Sequence, residues 1–357
     1  MGQVSSNEQR TSGCKAHHKS AGKGLQNARG ENNCFLNVIV QSLWHLESFR
    51  VLLSTVVHVH AEHTFCIICA LQELFTHYKY GEDQILNPGM IRITMDWLGR
   101  HEDRFQLGDM HDAAEALDAI FQAIHNEHII YQSKQTDKEG DIDDQCNPRC
   151  IIHTLFACDM FDLYKCKFCG STSDPEFIFD TMYRIYVSEV ALIESKAKLD
   201  WTTVFKHIIS NGPGRSCPGF SDETPCEGKT NTDRWILRLP FIFGVNLVWD
   251  SEQASSSHAK MILSLIASQP FQKIDLRDLF HLGGDTANAD IRDTIYHFRG
   301  MVCYYGKHYV CFFFNILSAE WYLFDDQTIR SIGRFSALSD HIVRGAYQPT
   351  LLFWEKE

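Results

Sequence analysis

The 357-residue sequence has no run approaching the roughly 18 uncharged apolar residues of a spanning helix, so no segment is expected to cross a bilayer. It also lacks a basic excess: 33 Lys and Arg stand against 45 Asp and Glu, a formal charge of −12. Phosphate backbones are bound through clustered Lys and Arg, so nucleic acid is excluded as the main partner. No Pro/Ser linker, charge block or internal repeat interrupts residues 24–354, and no apolar run at the start reads as a signal peptide. With 44% hydrophobic and 22% charged residues, a disordered or low-complexity chain is excluded as well. At about 150 residues per domain, the length allows one large unit or two ordinary ones.

What is abundant is cysteine. The thirteen cysteines are odd in number and include two C-x2-C pairs. That usage points to a reducing, cytoplasmic compartment with metal ligands or a reactive thiol, not to a disulfide framework. Residues 1–23 are small and polar and read as a flexible leader. Helical periodicity follows Cys34 and recurs at Cys66–Tyr78 and Ala113–Ile124. The second half reads as strands at Phe177–Val187, Trp235–Val248, Thr294–Tyr305, Tyr309–Asn315 and Trp321–Asp325, with a Gly/Pro/Ser-rich loop at Asn211–Asn231. A helical front joined without a linker to a strand-rich back predicts one α+β unit with a cleft between two lobes.

Cys34 sits where the Gly/Asn-rich segment Asn27–Asn33 enters a helix. A helix N-terminus presents free amides and partial positive charge, which favour a thiolate. The same amides, with a neighbouring Asn, are suited to a developing oxyanion; a buried, inert cysteine is the plain alternative. A nucleophilic thiol needs a base. If the strands at Tyr309–Asn315 and Trp321–Asp325 pair about a turn centred on Ile316 and Leu317, His308 falls opposite Asp325. An Asp there fixes the imidazole's tautomer, giving the Cys-His-Asp set of thiol hydrolases; an exposed hairpin with solvated charges is the alternative.

Three groups carry metal-ligand spacing. Cys166-x2-Cys169 is the half-site of a thiolate zinc centre, and Cys217 with Cys226 can close it despite their wide spacing. His58 and His60 precede Cys66-x2-Cys69, a Cys2His2 set with His63 as a spare ligand. Cys146, Cys150 and His153 are one ligand short, so no metal is expected there.

Taken together, these residues resemble the ubiquitin-specific protease family (peptidase C19). Gly24-Leu25-Gln26-Asn27 through Asn32-Asn33-Cys34-Phe35-Leu36-Asn37 to Gln41 resembles its Cys box, and Asp112-Ala113-Ala114-Glu115-Ala116-Leu117 its D-A-x-E-F-L segment. Gly306-x-His308-Tyr309 and Trp321 through Phe324-Asp325-Asp326 resemble its His box. The C-F-L-N variant, the early C-x2-C before Ala70-Leu71, Arg104–Gly108 and Val248-Trp249-Asp250 are similar to the ubiquitin carboxyl-terminal hydrolase 53/54-like branch.

The resemblance implies a papain-like hand over residues 24–354, with a helical thumb (about 24–145) and zinc-bearing fingers and a β-rich palm (about 146–354). It implies a deubiquitinase: hydrolysis after ubiquitin's C-terminal glycine, with Cys34 as nucleophile, His308 as base, Asp325 orienting it and Asp326 assisting. Asp112 and Glu115 would hold the Arg-containing ubiquitin tail and Tyr309 would line its channel. Structural zinc is implied in the fingers through Cys166, Cys169, Cys217 and Cys226, and no organic cofactor. Two departures stand out. The position five before Cys34 is Arg29, leaving Asn27 or Asn32 as the oxyanion donor, and Lys307 replaces the usual Gly before His308.

Met1-Gly2-Gln3-Val4-Ser5-Ser6 fits the N-myristoylation pattern, and Cys14 with the nearby basic residues offers a second membrane signal. Two other readings are weighed: a catalytically weak ubiquitin-binding scaffold, and a Cys-His peptidase or transferase with another substrate.

Overall fold

The computed structural model describes residues 22–58, 65–136, 147–195, 199–210, 216–219, 226–252, 255–269 and 272–356. Gly2, Cys14, His60, His63 and Cys146 lie outside these residues. The front of the chain is a helical lobe: β1 (Gly24–Leu25), α1 (Cys34–His45), α2 (Glu47–Leu53), α3 (Ile67–Tyr80), β2 (Ile85–Leu86), α4 (Gly89–Gly99), α5 (Ala113–Thr136) and α6 (Ile151–Leu155). Every residue from Cys34 to Leu43 is buried. A helix buried on all sides belongs inside a fold, and α1 lies between α5 and the main sheet. The described chain enters earlier than the expected leader would allow. Lys23 is buried, its ammonium donating to the carbonyls of His77 (2.8 Å) and Gly81 (2.6 Å) at the C-terminal end of α3.

The back half runs β3 (Cys158–Cys166), β4 (Glu176–Asp180), β5 (Tyr183–Tyr186), α7 (Val187–Glu194), α8 (Trp201–Ser210), β6 (Thr230–Arg238), β7 (Ile242–Val248), α9 (Ser256–Ala267) and β8 (Lys273–Asp275). It ends with α10 (Leu276–Leu279), β9 (His281–Leu282), α11 (Ile291–Thr294), β10 (Ile295–Tyr305), β11 (His308–Asn315), β12 (Glu320–Asp325), β13 (Thr328–Gly333), α12 (Phe335–Gly345) and β14 (Gln348–Lys356). Eight strands form the main sheet in the order β13-β12-β11-β10-β14-β7-β5, with β8 also on β10, and β4-β3-β6-β9 form a smaller one.

The two long strands expected at Phe177–Val187 and Trp235–Val248 are each broken. The breaks fall at Thr181-Met182 and Leu239-Pro240-Phe241, where the chain crosses from the small sheet to the main one. Pro240 has no N–H to donate to a ladder, which makes it a natural stop. Helices α7, α8, α9 and α12 fall in the half that reads as strands. They are there because the main sheet is apolar on both faces. Cys311, Phe313, Phe324 and Phe353 pack on α1 and the helical lobe; Val310, Phe312, Leu323 and Trp354 face a second core shared with these helices. A strand buried on both sides reads as one continuous apolar run. The result is the α+β papain-like hand, with a helical thumb, a palm sheet and small-sheet fingers. Among the described residues no helix is long and apolar enough to cross a membrane.

Candidate active site and metal-ligand clusters

Gly24 carries the start of the thiol segment past the turn after β12. A Cβ there would lie 2.6 Å from the Gln327 carbonyl oxygen, and the Leu25 amide donates to Asp326 O at 2.9 Å. Only glycine permits that approach, and it sets the Cys34 helix start against the Asp325-Asp326 turn. Cys34 is the first residue of α1 and is 3% exposed. The amides of a first helical turn have no intrahelical acceptor.

His308 opens β11 after a two-residue turn in which Gly306 and Lys307 both take left-handed backbone (φ 53° and 67°). This is the tight hairpin geometry that favours glycine, and Lys there costs on the order of 1 kcal/mol. The β11–β12 register differs from the expected one by two residues. Cys311 pairs with Phe324 and Asn315 with Glu320, so Asp325 is diagonal to His308, not opposite it. The cause is a longer turn, Ile316–Ala319. Asn315 Oδ1 accepts the amides of Leu317 and Ser318, and Ala319 closes the turn at φ 55°. A shift of two keeps both side chains on one face of the sheet, so the contact survives. His308 Nε2 lies 2.7 Å from Asp325 Oδ1, and the Cys34 thiol is near enough to raise the imidazole's pKa as well. The Asp325 bond first, and the Cys34 contact second, push the imidazole up to about 10 against the opposing effect of burial.

Asp326 takes left-handed backbone (φ 49°) and points its carboxylate into the thiol loop. It accepts from Asn27 Nδ2 and Asn37 Nδ2, each at 2.7 Å. Burial raises its pKa, and the two amides and His308 oppose that rise. The two Asn candidates are placed differently. Asn27 also accepts the Asn33 amide on Oδ1 at 2.9 Å, whereas Asn32, at φ 52°, donates to Gly108 O at 2.7 Å. Arg29 is exposed in the turn between them.

The sequence reading missed Arg92. It is buried in α4 beneath the thiol loop and donates to Asn33 Oδ1 (3.0 Å), to the carbonyls of Phe105 (2.5 Å) and Asp109 (3.2 Å), and to Gln106 O. Its guanidinium also lies 5.4 Å from the Phe35 ring centre. An arginine in an otherwise amphipathic helix gives no sign of such convergence.

A cleft of about 630 Å³ runs between the start of α5 and strands β5, β7, β10 and β14, bordered by Tyr309 next to His308. Asp112, Glu115 and Asp118 line it from α5, one helical turn apart, and Trp249 and Arg184 lie across from them. Asp112 caps α5, its Oδ1 accepting the amides of Ala114 (2.8 Å) and Glu115 (3.1 Å), while Oδ2 takes the Tyr309 hydroxyl at 2.9 Å. Burial first and Asp112 second push the Tyr309 phenol well above its usual range. Asp118, absent from the expected set, was readable from its i, i+3 spacing after Glu115. Its pKa is raised by burial, with Arg184 opposing.

Cys166, Cys169, Cys217 and Cys226 converge at the end of the small sheet, their sulfurs all within 4.8 Å of one another. The Cys166–Cys226 and Cys169–Cys217 separations are 3.8 and 3.3 Å, close to the roughly 3.8 Å edge of a tetrahedron with 2.3 Å Zn–S bonds. The Phe168 and Gly219 amides donate to these sulfurs, and a Cβ at Gly228 would lie 2.5 Å from Cys166 Sγ. The donor set and its surroundings fit zinc. His58 Nε2 is 3.3 Å from both Cys66 Sγ and Cys69 Sγ, so three of that group's four expected ligands are assembled. The fourth, His60, lies outside the described residues. The third group gains a member from elsewhere, His125, which joins Cys150 and His153.

The family model described as "Ubiquitin carboxyl-terminal hydrolase" matches residues 23–354. The chain is 31% identical over 344 residues to mouse ubiquitin carboxyl-terminal hydrolase 54, covering 93% of this chain and 20% of that protein. It is 30% identical over 341 residues to human ubiquitin carboxyl-terminal hydrolase 53, covering 93% and 30%. The chain thus spans a fifth to under a third of the length of these relatives. In three dimensions it is similar to a chain of the SAGA DUB module Ubp8/Sgf11/Sus1/Sgf73 bound to monoubiquitin. There the TM-score is 0.63 at 17% identity, over 94% of this chain and 69% of that one.

Proposed function

The chain belongs to the ubiquitin carboxyl-terminal hydrolase family, in its 53/54 branch, and from that premise we propose that it is a cysteine deubiquitinase acting through Cys34, His308 and Asp325. The observation that carries the proposal is His308, bonded to Asp325 at 2.7 Å and close enough to Cys34, at a helix start, for the thiol to raise its pKa. Asp325 occupies Nε2, which leaves Nδ1 for the thiol. An imidazolium held in that way stabilises a Cys34 thiolate, the nucleophilic form.

The thiolate attacks the carbonyl carbon of ubiquitin's C-terminal glycine and pushes the π electrons onto oxygen. The Cys34 and Phe35 amides at the start of α1 and the second Nδ2 hydrogen of Asn27 are the donors assigned to that oxyanion. Collapse expels the lysine amine, which takes the proton from His308, and leaves a thioester. His308 then deprotonates a water, whose attack releases ubiquitin's carboxylate and the thiol. Asp112, Glu115 and Asp118 give the cleft beside Tyr309 the negative charge that suits an Arg-containing tail. The substrates are ubiquitin chains or ubiquitinated proteins. Cys166, Cys169, Cys217 and Cys226 would hold a structural zinc, and Cys66, Cys69 and His58 would contribute to a second. Zinc in such sites ties loops together and takes no part in the hydrolysis. The compartment is cytoplasmic, with membrane association through an N-myristoyl group on Gly2.

One observation favours a weak, ubiquitin-binding scaffold instead: the Asn27 amide is already engaged by Asp326. Incubation with ubiquitin carrying a C-terminal electrophile, and with a panel of di-ubiquitins, separates the two. Labelling and cleavage in the wild type, absent in Cys34→Ala, are expected. Ubiquitin binding without labelling would select the scaffold.

A further inference from the structure

Outside the candidate active site, the most completely assembled group without a role is the third cysteine-histidine cluster. We propose that His125, Cys150 and His153 form a zinc site at the junction of the helical lobe and the small sheet. The sequence reading expects no metal here because Cys146, Cys150 and His153 are one ligand short. The ligand it misses lies 25 residues upstream, on the inner face of α5. His125 Nδ1 is 3.6 Å from Cys150 Sγ, and ligand atoms of all three residues lie within 4.8 Å of one another. The imidazole rings of His125 and His153 are 4.5 Å apart. All three residues are buried, at 8%, 1% and 8% exposure. One thiolate and two imidazoles are a donor set of the soft-to-borderline kind that zinc takes, with a water completing the tetrahedron as the fourth ligand.

The cluster is also braced from outside itself. Pro148 O, two residues before Cys150, accepts from Gln132 Nε2 (2.9 Å) and from the His128 ring (2.8 Å), both on α5. That fixes the segment carrying Cys150 against the helix carrying His125. On the far side the His153 ring packs edge-on against Phe179 of β4 at 4.8 Å. A metal here would staple α5 to the segment that leads into β3. None of the three residues is among the contacts of Cys34, His308, Asp325 or Asp326, so the site stands whether or not the chain is a deubiquitinase.

The deciding experiment is anomalous diffraction at the zinc edge from crystals of the wild-type chain purified without chelator. A difference peak coordinated by His125, Cys150 and His153 is expected, and absence of density there overturns the site. Metal content of variants gives an independent reading. His153→Phe keeps the ring contact with Phe179 and is expected to lose one zinc equivalent per chain while the other cysteine groups keep theirs. His153→Cys restores a ligand and is expected to retain it. A folded His153→Phe chain with the wild-type zinc content would refute the proposal; should that variant not fold, the diffraction result alone decides.

Discussion

Replacing Asp325 by Asn removes the carboxylate charge from the His308 pair and leaves its shape. The bond is short (2.7 Å) and charge-assisted, a class whose net contribution is about 1.5–3 kcal/mol. The two side chains are 27% and 36% exposed, so solvent screening moves the figure toward about 1–2 kcal/mol. At 1.36 kcal/mol per tenfold change, kcat/KM on a ubiquitin–coumarin substrate is expected to fall roughly five- to thirtyfold. The pH dependence is the sharper readout. With Asp325 present the imidazole is held at about 10, so the imidazolium of the ion pair persists far above the usual 6.5. Its contribution to stability is complete below about pH 6.5 and is lost as pH rises through about 10. Asn at 325 removes the largest cause of that elevation, so the alkaline limb of the activity profile should move down. An Asp325→Asn enzyme with an unmoved alkaline limb would refute the assignment. If Asp326→Asn moved it instead, the orienting role would belong to Asp326.

Arg92→Met leaves the Asn33 carbonyl and three backbone carbonyls without their buried donor, so a loss of about 3 kcal/mol or more in urea denaturation is expected, together with loss of activity. Tyr309→Phe removes the hydroxyl bonded to Asp112, and steady-state kinetics should show a several-fold rise in KM for ubiquitin substrates with kcat less affected. His45 is held down to about 3, first by burial between Phe313 and Phe324 and then by Arg50. Its neutral form therefore supports the fold above about pH 6.5, and that support is lost as pH falls toward the folded value. Urea midpoints should drop more steeply between about pH 6.5 and 4 in the wild type than in His45→Gln.

The sequence carries most of the candidate site because each member is tied to a local signal. A thiol follows an Asn-rich loop, an Asp precedes a helix at Ala113, and His308 follows a two-residue turn. What is not local was misjudged or missed. The β11–β12 register depends on how Asn315 and Ala319 shape a turn, and two positions of error cost nothing only because strand side chains repeat every two residues. Pro240 marked a strand break that the apolar runs on either side concealed. Helices α7, α8, α9 and α12 answer to a face of the main sheet that becomes visible only once the strands are ordered. His125 and Arg92 reach their partners across tertiary contacts, His125 from 25 residues before Cys150 and Arg92 from 59 after Asn33. Spacing rules look along the chain and cannot register such partners.

The thiol loop puts Arg29, not Asn, five residues before Cys34, and the structure contains a compensation for that departure from the expected spacing. The loop folds back on itself: the Glu31 amide donates to Ala28 O at 3.0 Å, and Glu31 Oε2 accepts the Ala28 amide at 2.7 Å. That small loop displaces Arg29 outward and brings Asn27, seven residues before the thiol, onto the Asn33 amide beside the helix start. Asn32 anchors the outer side to Gly108, and Arg92 clamps the inner side to Phe105–Asp109. The start of α1 is thus fixed from both sides before any substrate arrives, and preorganised donors cost nothing to reorient when charge develops. Asn27 is itself held by Asp326, so the proposed oxyanion donor and the turn carrying Asp325 are one hydrogen-bonded unit. Replacing Asp326 with Ala should therefore disturb both ends of the mechanism together. A selective loss of kcat in that variant, with Cys34 alkylation unchanged at every pH, would show the two ends to be independent.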